Sequence, residues 1–176
     1  DLEKGIRRMA ADEYYVSAVK IEQDFASYLE EHYQLYAIRR DSKDQPDSME
    51  DEKKRKFLAE IIKKYKKTDN VELWRLYDQN NDTWAYQLNW VYDGIRYLYS
   101  HSFNEDFSRY SPGKYLLMKI IEDSFHDPDI IECNFMRGES NYKAIFADQT
   151  MDYIYISLEN PRSIRLKLTK LASKIT

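Results

Sequence analysis

The chain has 176 residues, a formal net charge of −4 and 43% hydrophobic residues, enough for one domain with an ordinary core. Nearly balanced charge supplies no broad basic field, which argues against nucleic acid as the main partner. The single cysteine, Cys133, excludes an internal disulfide framework and a cysteine-built zinc site, and no apolar run approaches the length of a membrane span. No signal peptide precedes the domain, so a cytoplasmic location is expected. Tyrosine is abundant, at 16 residues against seven phenylalanines. Such rings either line a polar groove or stand on the outer faces of strands.

In chain order, residues 1–12 have helix-like composition and read as a linker or an N-terminal helix, with Lys4, Arg7 and Arg8 along one side. Glu13 to Lys20 is rich in strand formers and reads as a first strand. Glu22 to Arg39 follows as a helix whose face carries Phe25, Tyr28, Leu29, His32, Leu35 and Tyr36, which makes His32 a packed or edge histidine. Arg40 to Met49 offers almost nothing to a core and is expected to be an exposed, mobile loop. Glu50 to Lys67 reads as a charged helix with Phe57, Leu58, Ile61, Ile62 and Tyr65 on its inner stripe.

Val71 to Asp78, Thr83 to Val91 and Ile95 to Ser102 are three strands in an antiparallel meander. Asp93-Gly94 forms the tight hairpin between the last two. Trp74, Leu76, Trp84, Tyr86, Leu88 and Trp90 alternate with smaller or polar residues, which predicts one face on helices and one partly open. Towards the C-terminus, Met151 to Leu158 reads as a last strand and Pro161 to Ile175 as a closing amphipathic helix.

Residues 107–143 organise the rest. Ser111 can cap a helix, Pro112 suits its first position, and Gly113 lets a ligand approach the backbone closely. Tyr115, Leu116, Met118, Ile120, Ile121 and Phe125 recur at helical spacing and are expected to bury one side of that helix. His126-Asp127-Pro128-Asp129 ends it. Ile130 to Met136 then reads as a strand holding Cys133 as a buried thiol, and Arg137-Gly138-Glu139 turns the chain towards Tyr142-Lys143. Strand, turn, helix and strand, with free amides at the turn, suit an anionic group such as phosphate.

Ser111-Pro112-Gly113 before an apolar helix, then Phe135-Met136-Arg137-Gly138 and Tyr142-Lys143, resembles the BioF2-like or CelD-like acyltransferases of the GNAT superfamily. These are relatives of the Fem-type aminoacyl transferases, and the likeness, from roughly Tyr14 to Leu158, is to the C-terminal of two tandem halves. The resemblance implies an α+β GNAT fold: a central mixed, mostly antiparallel sheet of about six strands flanked by helices in a three-layer-like arrangement. Residues 13–176 would form a single GNAT-like domain, with the loop at 40–49 bordering the acceptor site. It further implies acetyl-CoA or another acyl-CoA, and no metal is expected because the sequence carries no metal-binding constellation. The pyrophosphate would lie on the backbone from Ser111 through Pro112 and Gly113 to Lys114, with Arg109 or Lys114 as phosphate partners.

One residue departs from the family pattern, because Asn134 stands where an acid is usual and an amide cannot take a proton. Glu132, His101 and Glu139 then compete as base. Tyr142 is the candidate donor to the departing thiolate, with Lys143 lowering its pKa, although packing and surface charge explain the pair equally well. Asn134 is left to orient the acceptor or a water, while Arg137, Glu139 and Lys143 are the candidate acceptor contacts. The acceptor implied is a small molecule, an amino sugar or a peptide amine. A competing reading is a non-catalytic GNAT-like module that binds a ligand or partner, such as a second GNAT-like half or another subunit. A Fem-type transferase using aminoacyl-tRNA is the weakest alternative, because the surface charge is acidic.

Overall fold

A computed structural model describes residues 2–41, 52–138, 141–152 and 154. Residues 1–145 form one compact unit and residues 146–176 another. Glu139, most of the expected loop at 40–49 and the expected helix from Pro161 to Ile175 lie outside the described residues. So does most of the expected strand from Met151 to Leu158; Met151, Asp152 and Ile154 are described and are not in a strand.

Five strands make the sheet of the first unit: β1 (Val16–Lys20), β2 (Val71–Asp78), β3 (Thr83–Tyr92), β4 (Ile95–Phe103) and β5 (Glu132–Asn134). They lie in sequence order, with β1 to β4 antiparallel and β5 parallel to β4. The sheet is therefore mixed and mostly antiparallel, with five strands among the described residues instead of about six. Asp93 and Gly94 both take left-handed backbone, at φ 51° and 75°, which is the turn whose twist matches the strands it joins.

Helices cover both faces. The helices are α1 (Leu2–Ala11), α2 (Phe25–Asp41), α3 (Glu52–Tyr65) and α4 (Pro112–His126), and a short helical turn, α5 (Lys143–Phe146), comes after β5. Arg40 and Asp41, expected in a loop, are the last residues of α2. On one face Phe25, Leu29 and Tyr33 of α2 meet Leu58 and Ile62 of α3 over Val71, Leu73, Tyr86 and Leu88. On the other, α4 buries Leu116, Leu117 and Ile120 and packs against β2 and β3. The expectation of a partly open sheet face is corrected here, since β2 and most of β3 are buried on both sides.

Two apolar stripes also differ from expectation. Phe125 is exposed because the inward positions of the last turn of α4 belong to Asp123 and Ser124, which bind Arg96. Phe57 likewise faces out, and Leu58 and Ile62 carry the burial in α3.

Candidate active site

The site begins where β4 and β5 part. Their pairing runs Ile95 with Glu132, Arg96 with Cys133 and Tyr97 with Asn134, and stops there. Beyond it Leu98 to Phe103 continues as β4 with an edge that no described strand covers. Asn134 makes the split: its Oδ1 accepts from the Met136 N–H at 2.9 Å, closing a side-chain turn, and Met136 takes a left-handed φ of 58°. The Asn134 Nδ2 donates to Glu132 Oε1 at 2.8 Å. The strand expected over Ile130 to Met136 is confined to Glu132–Asn134, and this turn ends it on the C-terminal side.

The N-terminus of α4 faces the split. A 3-10 turn, Glu105–Tyr110, runs into Ser111, which takes left-handed backbone at φ 57°. The Ser111 side chain makes no capping bond, contrary to expectation. Ser111 N–H donates to Ser108 O, and Lys114 and Tyr115 N–H both donate to Ser111 O. Pro112 has no N–H, so within the turn Gly113 supplies the open amide.

That turn is held from behind. Trp84 stacks on Phe107 at 4.3 Å between ring centroids, and Tyr14 meets Trp84 and Tyr110 edge-on. Asp12 accepts from Tyr110 Oη at 2.7 Å and from Arg109 at 2.6 Å. Burial, then the Asp12 bond, pushes the Tyr110 phenol up. A Cβ on Gly5 would lie 2.3 Å from Tyr110 O, so α1 reaches the turn only because that side chain is absent.

Two cavities open along this split. One, of about 250 Å³, is lined by Ser111, Pro112, Gly113 and Lys114 at the helix start and by Leu98, His101 and Phe103 on β4. The other, of about 300 Å³, is lined by Tyr36, Tyr99, Ser100, Met136, Arg137 and Lys143. Arg39, Leu98, His101, Phe135 and Tyr142 line both, and so form the wall the cavities share. His101 and Tyr142 meet edge-on at 5.7 Å within that wall.

Residues 1–144 match the family model described as an Acetyltransferase (GNAT) domain. The chain belongs to that family. A possible acetyltransferase from Clostridium difficile 630 shares the fold at a TM-score of 0.60 and 12% identity, over 82% of this chain and 97% of that one. An acetyltransferase from Trypanosoma brucei does so at a TM-score of 0.51 and 13% identity, over 82% of this chain and all (100%) of that one. A search of curated proteins found no match.

Within this GNAT domain the sequence-derived residues separate into groups. Ser111, Pro112, Gly113 and Lys114 lie together on the first cavity, and His101 and Tyr142 on the shared wall. Arg137 and Lys143 lie on the second. Lys143 Nζ donates to the carbonyls of Met136, Arg137 and Gly138, at 3.3, 2.9 and 2.9 Å, which braces that loop. Burial pushes its pKa down. Arg109, Glu132 and Asn134 are not on either cavity wall. Arg109 points to Asp12, and Glu132 is exposed beside Asn134.

Arg39 is the site residue that sequence reading missed. From the last turns of α2 its guanidinium lies 4.3 Å over the Phe103 ring and donates from Nη1 to His101 Nε2 at 3.0 Å. A guanidinium cannot accept, so His101 Nε2 carries the lone pair and the ring is neutral while this bond stands. Glu105 lies 3.7 Å from Arg39 Nε. No sequence signal pointed here, because Arg39 reads as one more charge at a helix end.

Proposed function

We propose that this GNAT domain is an acyl-CoA-dependent N-acyltransferase that moves an acyl group, acetyl in the simplest case, to an amine by direct attack. One observation carries the reading: two cavities, one at the open helix start and one lined by polar side chains, meet at a wall made by His101 and Tyr142. The fit to an acyl-CoA rests on the open Gly113 amide, Lys114 beside it and the uncovered β4 edge. Acyl-CoA, when bound, supplies the activated thioester.

The chain's own groups then have distinct tasks. Gly113 N–H and Lys114 hold anionic phosphate oxygens, aided by the α4 dipole. The Leu98 to Phe103 edge offers backbone partners to an extended amide-bearing arm, as an added strand would receive them. His101 receives the amine proton at Nε2 once the entering acceptor displaces the Arg39 contact. Tyr142 donates its hydroxyl hydrogen towards the departing sulfur. Asn134 fixes the strand split and is not the base. Placement in the BioF2-like or CelD-like, Fem-related branch, as the C-terminal half of a tandem pair in the cytoplasm, belongs to the same proposal and rests on the motif likeness.

The test is turnover with acetyl-CoA across a panel of amines, following release of the CoA thiol. Tyr142→Phe and His101→Ala are each expected to lower kcat by roughly 10²-fold, the range of a positioned proton donor or acceptor, with acetyl-CoA affinity retained. A second reading, a ligand-binding module without catalysis, is favoured by the use of Asn134 in a structural turn. Tight acetyl-CoA binding with no thiol release from any amine would select it.

A further inference from the structure

We propose that the acceptor is an amine that also carries an anionic group, a carboxylate or a phosphate, held by Arg137 and Arg39 in the second cavity. This rests on the acyltransferase reading and names the substrate class of the same site. The wall of that cavity holds two arginines, one lysine and His101, and among the described residues no carboxylate lines it. Tyr36, Tyr99, Ser100 and Tyr142 add hydroxyl groups to the same wall.

Charge decides what enters. A plain alkylammonium would meet Arg39, Arg137 and Lys143 as like charges, which repel it. Glu105 offsets part of the Arg39 charge from outside the cavity wall. Lys143 spends its hydrogens on loop carbonyls, so it contributes field more than contact. Arg137 and Arg39 are the groups on this wall whose planar forks match a carboxylate or phosphate, and Arg39 would turn to it from His101.

The same cations serve the chemistry. A positive cavity disfavours the ammonium form of the acceptor, so its amine loses a proton more easily. That assistance suits a domain in which Asn134 cannot act as base. An anionic group elsewhere on the acceptor reverses the repulsion and turns the molecule so that the amine faces His101 and Tyr142. A cavity of about 300 Å³ accepts a molecule of amino-acid or monosaccharide size, or the terminal unit of a longer one.

Matched pairs of amines test this, with binding followed by NMR titration in the presence and absence of CoA. One pair is 5-aminovalerate and n-pentylamine; the other is glucosamine 6-phosphate and glucosamine. The anionic member of at least one pair is expected to bind roughly tenfold more tightly, and the gap to shrink between about 50 mM and about 500 mM salt. Which pair shows it distinguishes a carboxylate from a phosphate. Arg137→Glu is expected to erase or invert the preference, with a thermal melt confirming the fold. Equal binding of both members, no binding of any, or an unchanged preference in Arg137→Glu overturns the proposal. Acetyl-CoA titration of the same samples reports separately on the acyltransferase reading, which fails if a folded chain does not bind it.

Discussion

His32 shows how far a side chain's role depends on what the fold places around it. Its ring nitrogens lie 2.8 Å from Ser102 Oγ and 3.2 Å from Ser100 Oγ, in full burial. Burial first, and repulsion from His101 in its protonated form second, lowers its pKa to about 3. The unfolded chain therefore binds a proton that the folded chain does not. Stability is full above pH 6.5 and falls as pH drops from about 6.5 towards 3, by up to about 1.4 kcal/mol per pH unit for this group. His32→Gln should flatten that acid limb in denaturant titrations run at several pH values. The packed histidine was legible from helical periodicity; its serine partners were not, because they lie 70 and 68 residues away. Arg39 was illegible for the same reason, with its partner 62 residues off.

At the scale of elements, α4 is held by one buried guanidinium. Arg96 is fully buried and lies 2.9 Å from Glu72 Oε2 and 3.0 Å from Asp123 Oδ2, and it donates to Ile120 O at 3.2 Å. Removing it takes the buried cation from the Glu72 carboxylate and leaves it the half-exposed Lys20, at 3.8 Å, and the Trp74 Nε1 donor, at 3.1 Å. Arg96→Ala should cost about 3–5 kcal/mol in urea unfolding, and pairing Arg96→Met with Glu72→Gln should recover much of that loss. α1 docks by a different device, the close approach of Gly5 to Tyr110. Gly5→Val should weaken the protein by about 1–3 kcal/mol and expose the Leu2–Ala11 amides to hydrogen exchange ahead of the sheet.

The elements also show why periodicity succeeded in some places and misled in others. Asp93-Gly94 announced its hairpin because only a few residue types accept two successive left-handed conformations. Phe125 was assigned to the core of α4 on spacing, but it sits about 140° around the helix from Ile120. The inward slots there hold Asp123 and Ser124, polar for the sake of Arg96. Ile130 to Met136 had strand composition throughout, and Asn134 cut it short through a side-chain turn that composition does not announce.

For the whole molecule, the acyl-CoA site proposed at the start of α4 lies within residues 1–144, the stretch that the GNAT family model matches. The residues proposed to carry the chemistry come from four separate stretches: α2 gives Arg39, β4 gives His101, the start of α4 gives Gly113 and Lys114, and the segment after β5 gives Arg137 and Tyr142. The motif around Ser111-Pro112-Gly113 was visible because it is contiguous. The division into two cavities was not, since it depends on β4 and β5 separating after Tyr97 and Asn134.

The most direct measurement is calorimetric titration of acetyl-CoA into the chain and into Gly113→Trp. A Cβ on Gly113 would meet only the Phe103 ring, at 3.5 Å, so Gly113→Ala serves as a folded control and the larger indole fills the first cavity. The expected result is binding in the micromolar range that survives Gly113→Ala and disappears in Gly113→Trp. Binding unchanged in a folded Gly113→Trp variant, or absent from the unmodified chain, would contradict an acyl-CoA site at the start of α4.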